Sequence, residues 1–195
     1  NYMAKTEKKI SLTGTRGNIF DRNGNVLAYN KLSYNVTIQD NGDYKKSNDR
    51  NRMLLELVRI LNRHGESVEG DFSIGYDSSG EMIFTTTSEA ARRRFLSDYY
   101  GLKKTDDLDD AEGKYPSDVT AREVFEARVK YYGLDQLKDD NGVPIEITDE
   151  EALGIINIRY TMGLTAYRKY ESTTIASDVS KETMTDVLEN SGNLK

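Results

Sequence analysis

Tyr34, Val36 and Ile38 alternate with Asn35, Thr37 and Gln39. A period of two gives one apolar and one polar face and predicts a strand over 33–39. Upstream, Asn23-Gly24 separates two shorter runs, Gly17 to Asp21 and Asn25 to Tyr29. This pair predicts a hairpin closed by a type I′ turn, whose two central residues both need φ > 0. The period then changes. Met53, Leu54, Leu57, Val58, Ile60 and Leu61 follow a 3.6-residue repeat within Asp49 to His64, and Gly65 ends it, which predicts an amphipathic helix.

Farther along, Phe72 to Tyr76 and Met82 to Thr86 flank Asp77-Ser78-Ser79-Gly80 and predict a second hairpin. Ser88 caps a predicted helix, Glu89 to Tyr100, that ends at Gly101. Thr120 to Tyr132 is a third helix, with Val124, Phe125, Val129 and Tyr132 on its buried side. Thr148-Asp149-Glu150-Glu151 is a capping box. It opens a helix to about Tyr160, which Thr161 to Lys169 either continue as far as Gly163 or break there, and Gly154 weakens the case for an unbroken run. Thr173 to Ser177 is extended, and Ser180 caps a last helix through Glu189. These elements together predict an α+β fold.

Composition changes the picture in two ways. Lys+Arg 27 against Asp+Glu 33 gives a net charge of -6, which argues against nucleic-acid partners, since these need a basic face. With no Cys and one His, thiolate metal sites, disulfides and most nucleophile–base pairs are excluded. No apolar run approaches the ~20 residues of a membrane span.

Several clusters invite chemistry. Arg92, Arg93 and Arg94 are adjacent, so on a helix they point in three directions and read as a solvated face; contact with an acidic partner is the alternative. The acidic stretch 103–117 does not fit an EF-hand. A loop framed on Gly113 or Gly142 starts at Leu108 or Leu137, where a calcium loop needs Asp. His64, at a helix C-terminus, reads as a solvated cap. No metal or cofactor site follows.

The hairpin carries the most specific signal. Arg16-Gly17-x-Ile19-x-Asp21-Arg22-Asn23-Gly24-x-x-Leu27-Ala28 resembles the R-G-x-I-x-D-R-N-G-x-x-L-A signature at the start of the pedestal, or dimerisation domain, of class B penicillin-binding proteins. A second run, Tyr170-Glu171-Ser172-Thr173-Thr174-Ile175-Ala176-Ser177-Asp178-Val179-Ser180, is similar to that family's I-A-x-D-V-S segment. From the residues alone, Arg16, Asp21 and Arg22 read as structural: Asp21 accepts bonds from the turn, and an arginine pairs with it across the ladder.

The resemblance implies a small hairpin sheet near the termini with a mostly helical inserted subdomain. The boundaries it suggests are a stalk and hairpin sheet over 1–45, an inserted head over 46–158, and a return segment over 159–195. It implies a parent anchored in the membrane upstream of Asn1, a location on the outer face of the bacterial cytoplasmic membrane, and a transpeptidase domain in the same parent chain. It also implies partners such as a membrane glycosyltransferase, cell-shape scaffold proteins or a second copy in a homodimer.

The chain itself carries no transpeptidase nucleophile: no Ser has a Lys three residues later, the spacing that lets the amine take the hydroxyl proton. K-T-G is missing, and Ser191-Gly192-Asn193 matches S-x-N in letters alone. Three readings remain: a non-catalytic pedestal segment, a carboxylate-based cell-wall glycan hydrolase, and a free-standing binding module. The 33 acids leave the hydrolase open, since such enzymes need only a pair of carboxylates.

Overall fold

Eight buried residues on one face, including Met53, Leu54, Leu57, Val58, Ile60 and Leu61, dock the first helix, α1 (Ser47–Arg63), against the rest of the protein. The computed structural model describes residues 18–29, 33–39, 46–166 and 171–190. The chain divides into two compact units, Asn1–Ser33 and Tyr34–Lys195.

In the larger unit α1 packs on α4 (Asp149–Leu164). The capping box at Thr148 forms in full: Glu151 N–H donates to Thr148 Oγ1, and Glu151 Oε2 accepts from the Thr148 amide. This helix also meets α3 (Ala121–Tyr132) and β6 (Thr173–Val179). Contact on several sides buries Ala152, Ile155, Ile156, Ile158 and Tyr160. That explains why its apolar residues follow no narrow stripe.

The helix also runs through Gly154 without a break and reaches Leu164, one residue past the longer of its two expected ends. A Cβ on Gly154 would lie 2.9 Å from Val58 Cγ1. The glycine is therefore a point of close approach between α1 and α4, and their packing outweighs its low helix propensity. Arg59 and Glu151 pair at 2.6 Å across the same two helices.

β4 (Ile74–Tyr76) and β5 (Met82–Phe84) form the second hairpin, and α2 (Glu89–Tyr100) follows with Ser88 as its cap. Here an aromatic cluster closes the core. Phe72 meets Phe95 and Tyr160 edge-on, with ring centroids 5.5 and 5.3 Å apart, the arrangement that ring quadrupoles favour.

β3 (Tyr34–Ile38) exists as its alternation predicts, and its partner is distant in sequence. It pairs antiparallel with β6, Val36 opposite Ala176 and Ile38 opposite Thr173, with irregular register on both sides of Val36. The long excursion between them, residues 39–172, thus leaves and returns through one two-stranded sheet. Ser180 then caps α5 (Lys181–Glu189) by accepting from Thr183 N–H.

His64 differs from the solvated cap expected. It is half-buried, and its Nε2 lies 3.0 Å from Asp186 Oδ2, which also accepts from Arg63. Side-chain hydrogen bonding from His64, then the charge of Arg63, holds the Asp186 carboxyl below its ordinary range. The pair ties α1 to α5.

The three arginines of α2 do point apart, but each has a carboxylate: Arg92 with Glu89, Arg93 with Asp109, Arg94 with Asp98. Arg93 therefore anchors the acidic loop. Asp109 sits at φ +59° and accepts from Arg93, from Ser117 Oγ and from Ser117 N–H. The Arg93 bond, then those from Ser117, lower its pKa to about 2. A carboxylate depressed in the folded state contributes stability above its unfolded pKa of ~4 and loses it as pH falls toward the folded value. The melting temperature should therefore drop between about pH 4 and pH 2, and Asp109→Asn should flatten that dependence while tolerating the left-handed backbone. An unchanged acid limb in the variant would contradict this.

In the smaller unit β1 (Ile19–Phe20) and β2 (Val26–Ala28) form an antiparallel pair, Ile19 opposite Ala28 and Phe20 opposite Val26, with a bulge.

Candidate functional site

The two sequence motifs are the natural candidates. In the first, residues 21–25 make a bulged loop instead of the expected two-residue turn. The Gly24 amide donates to Asp21 C=O at 3.1 Å, and the Asp21 amide to Asn25 C=O at 2.9 Å. Gly24 alone in this loop has positive φ, +83°. A type I′ turn would need Asn23 positive as well, so the type I′ expectation was wrong. The geometry is a type I turn closed by a left-handed glycine that makes the bulge.

Asp21 supplies the physical reason. Its Oδ1 accepts from the amides of Asn23 and Asn25, both at 2.8 Å, and its Oδ2 from Asn25 Nδ2 at 2.7 Å. A side chain that satisfies two turn amides favours the ordinary type I backbone. The side-chain bond from Asn25, then its backbone bond, holds the Asp21 carboxyl below the usual range. Such a group stays ionised near neutrality and is a poor proton donor.

Arg16 and Gly17 lie outside the described residues, and among the described residues Arg22 forms no ion pair with Asp21. Arg22, Asn23, Gly24, Leu27 and Ala28 are exposed. Ile19 is exposed as well, along with Phe20, Val26, Leu27 and Tyr29.

Among the described residues the same turn occurs twice more. Asp77 accepts from the amides of Ser79 and Glu81, and Gly80 has φ +81°. Asp139 accepts from the amides of Asn141 and Val143, and Gly142 has φ +80°. An Asp followed by Gly at the fourth position was the sequence signal for this, and the single-turn reading of Asn23-Gly24 missed it. Recurrence at two sites outside the matched motif argues that Asp21 is a turn former. Gly24→Val should cost the local hairpin roughly 1–2 kcal/mol through its backbone alone, because nothing lies within 4 Å of the added Cβ. Hydrogen exchange at the Asp21 amide should accelerate by about 5–30-fold; an unchanged rate would contradict the turn geometry.

The second motif runs along β6. Ile175, Ala176 and Val179 are buried. Glu69 accepts from Ser177 N–H and Oγ, while its own amide donates to Ile175 C=O at 2.8 Å. Glu66 accepts from Ser180 N–H and Thr183 Oγ1, which lowers its pKa in that order of cause. Asp178 takes φ +55°, its amide donating to Asn35 Oδ1 at 3.3 Å. Every polar partner here orders backbone or a helix start. Tyr170 lies outside the described residues.

Among the described residues neither motif brings together the nucleophile, base and oxyanion donors of an acyl-transfer centre. Among the described residues no helix is long and apolar enough to cross a membrane. A family model described as the penicillin-binding protein dimerisation domain matches residues 11–195. No curated protein matches the chain.

Proposed function

We infer, since this chain belongs to the penicillin-binding protein dimerisation domain family, that it serves as the pedestal of a peptidoglycan transpeptidase. Such a domain alone is in general non-catalytic. Its work is to hold and present the catalytic domain of its parent on the outer face of the bacterial cytoplasmic membrane. A membrane glycosyltransferase, cell-shape scaffold proteins and a second copy of the chain are its proposed partners.

The observation that carries this reading is the extent of the match: it covers both motifs and the whole of 29–169 between them. The pairing of β3 with β6 supports it, because it gives a head over 46–158 a single base from which to leave and return. So does the exposed apolar hairpin, Ile19, Phe20, Val26, Leu27 and Tyr29, a surface suited to covering by the parent chain.

The gene supplies the test. A reading frame continuing past Lys195 into S-x-x-K and K-T-G is the expected result. A stop codon directly after Lys195 would count against a transpeptidase parent and favour the free-standing module.

A further inference from the structure

Four helices meet around a cleft of about 400 Å³ in the larger unit, lined by Arg50 of α1, Asp98 of α2, Arg128, Tyr131 and Tyr132 of α3, and Arg159 and Tyr160 of α4. Asp98 is the one carboxylate among the residues that line it. Asp98 is already engaged by Arg94 at 3.2 Å.

Arg128 and Arg159 differ from seven other arginines of the larger unit. Among the described residues neither forms a salt bridge, whereas Arg52, Arg59, Arg63, Arg92, Arg93, Arg94 and Arg122 each pair with a carboxylate. Arg128 Nη2 donates to Tyr99 C=O at 2.7 Å, but its Nε is buried with no acceptor. Its guanidinium lies 4.3 Å from the Tyr99 ring centroid and 5.1 Å from that of Tyr131. Arg159 stacks on Tyr132 at 4.2 Å, and its described bonds, to Ser47 Oγ and Asn51 Oδ1, both leave from Nη1.

Aromatic faces thus fix two guanidinium planes at one cleft, with donors left over. Holding the planes in place removes much of the entropy that a carboxylate would otherwise have to offset on binding. Burying a cation without an anion is costly, and burial does pull the ionisation of Arg159 down. A ligand carboxylate would relieve this. Tyr131, largely exposed at the rim, offers a flat apolar surface for the residue next to that carboxylate.

We propose that this cleft binds an acidic peptide segment of a partner protein, a Glu or Asp side chain entering between Arg128 and Arg159 with an apolar neighbour on Tyr131. The site goes beyond the pedestal reading and does not depend on a transpeptidase parent.

Titration calorimetry of the full chain tests it, using a capped peptide of alternating leucine and glutamate, its glutamine counterpart, and inorganic phosphate. The glutamate peptide should bind, more weakly as salt rises, and the glutamine peptide should not. Arg128→Gln should weaken binding about tenfold or more, the usual effect of losing a charge-assisted hydrogen bond. Arg128→Lys keeps the charge and the stem but loses the planar fork. It should also bind several-fold more weakly, and it decides the matter if Arg128→Gln fails to fold. Equal binding of the two peptides, undiminished binding in Arg128→Lys, absence of binding at millimolar peptide, or binding of phosphate without peptide would each overturn the proposal.

Discussion

Phe125→Ala is expected to lower the stability of the larger unit by about 3–5 kcal/mol. Phe125 is among the largest fully buried side chains. It is a buried residue of α3, a helix that packs against α4 and β5. Truncation removes the transfer energy of the ring and leaves a cavity that three packed elements cannot readily fill. Against a typical total of 5–15 kcal/mol, such a loss should move the urea midpoint far down with little change in slope. A loss under about 1 kcal/mol would mean that α3 is not docked in this way.

Gly154→Ala is the second large effect, and its sign is opposite to what helix propensity suggests. In an exposed helix interior this change gains about 1 kcal/mol. Here the new methyl would lie 2.9 and 3.1 Å from the two γ-carbons of Val58, itself 1% exposed. Val58 is β-branched with little rotamer freedom in a helix, so relief requires α1 and α4 to separate. Overpacking of this kind costs typically 1–3 kcal/mol, and we expect a net loss. Val58→Ala in the same chain should restore more than additivity allows, since the two sites are in contact. A stabilised Gly154→Ala would show that α1 and α4 are farther apart than described.

Local signals carried most of the fold into the sequence. The capping box at Thr148, the Ser88 cap with its glycine stop at Gly101, and the alternation in 33–39 all depend on residues a few positions apart. What stayed hidden depends on distant partners. Nothing in 33–39 says that its partner is 173–179, because strand pairing across a long excursion leaves no mark on a single sequence. The continuity of α4 through Gly154 depends on Val58, and the anchoring of Arg93 on Asp109 and Ser117.

The candidate site divides along the same line. The motif at Arg16 to Ala28 was legible as a string of letters, and the glycine requirement at 24 followed from it. The turn type did not, since it hinges on two amides donating to Asp21, a preference that Asn23-Gly24 alone masks. The cleft between Arg128 and Arg159 could not be seen at all. Its arginines and tyrosines come from different helices, and in sequence they read as scattered surface charge and ordinary aromatics.

Fluorescent penicillin labelling of the proposed transpeptidase parent carrying Asp21→Ala tests the central claim most directly. If this chain is a structural pedestal and Asp21 a turn former, the variant melts earlier than the parent yet still acylates at any temperature where it remains folded. A variant with unchanged melting that no longer acylates would place Asp21 in an active site or its coupling, and would contradict the structural account.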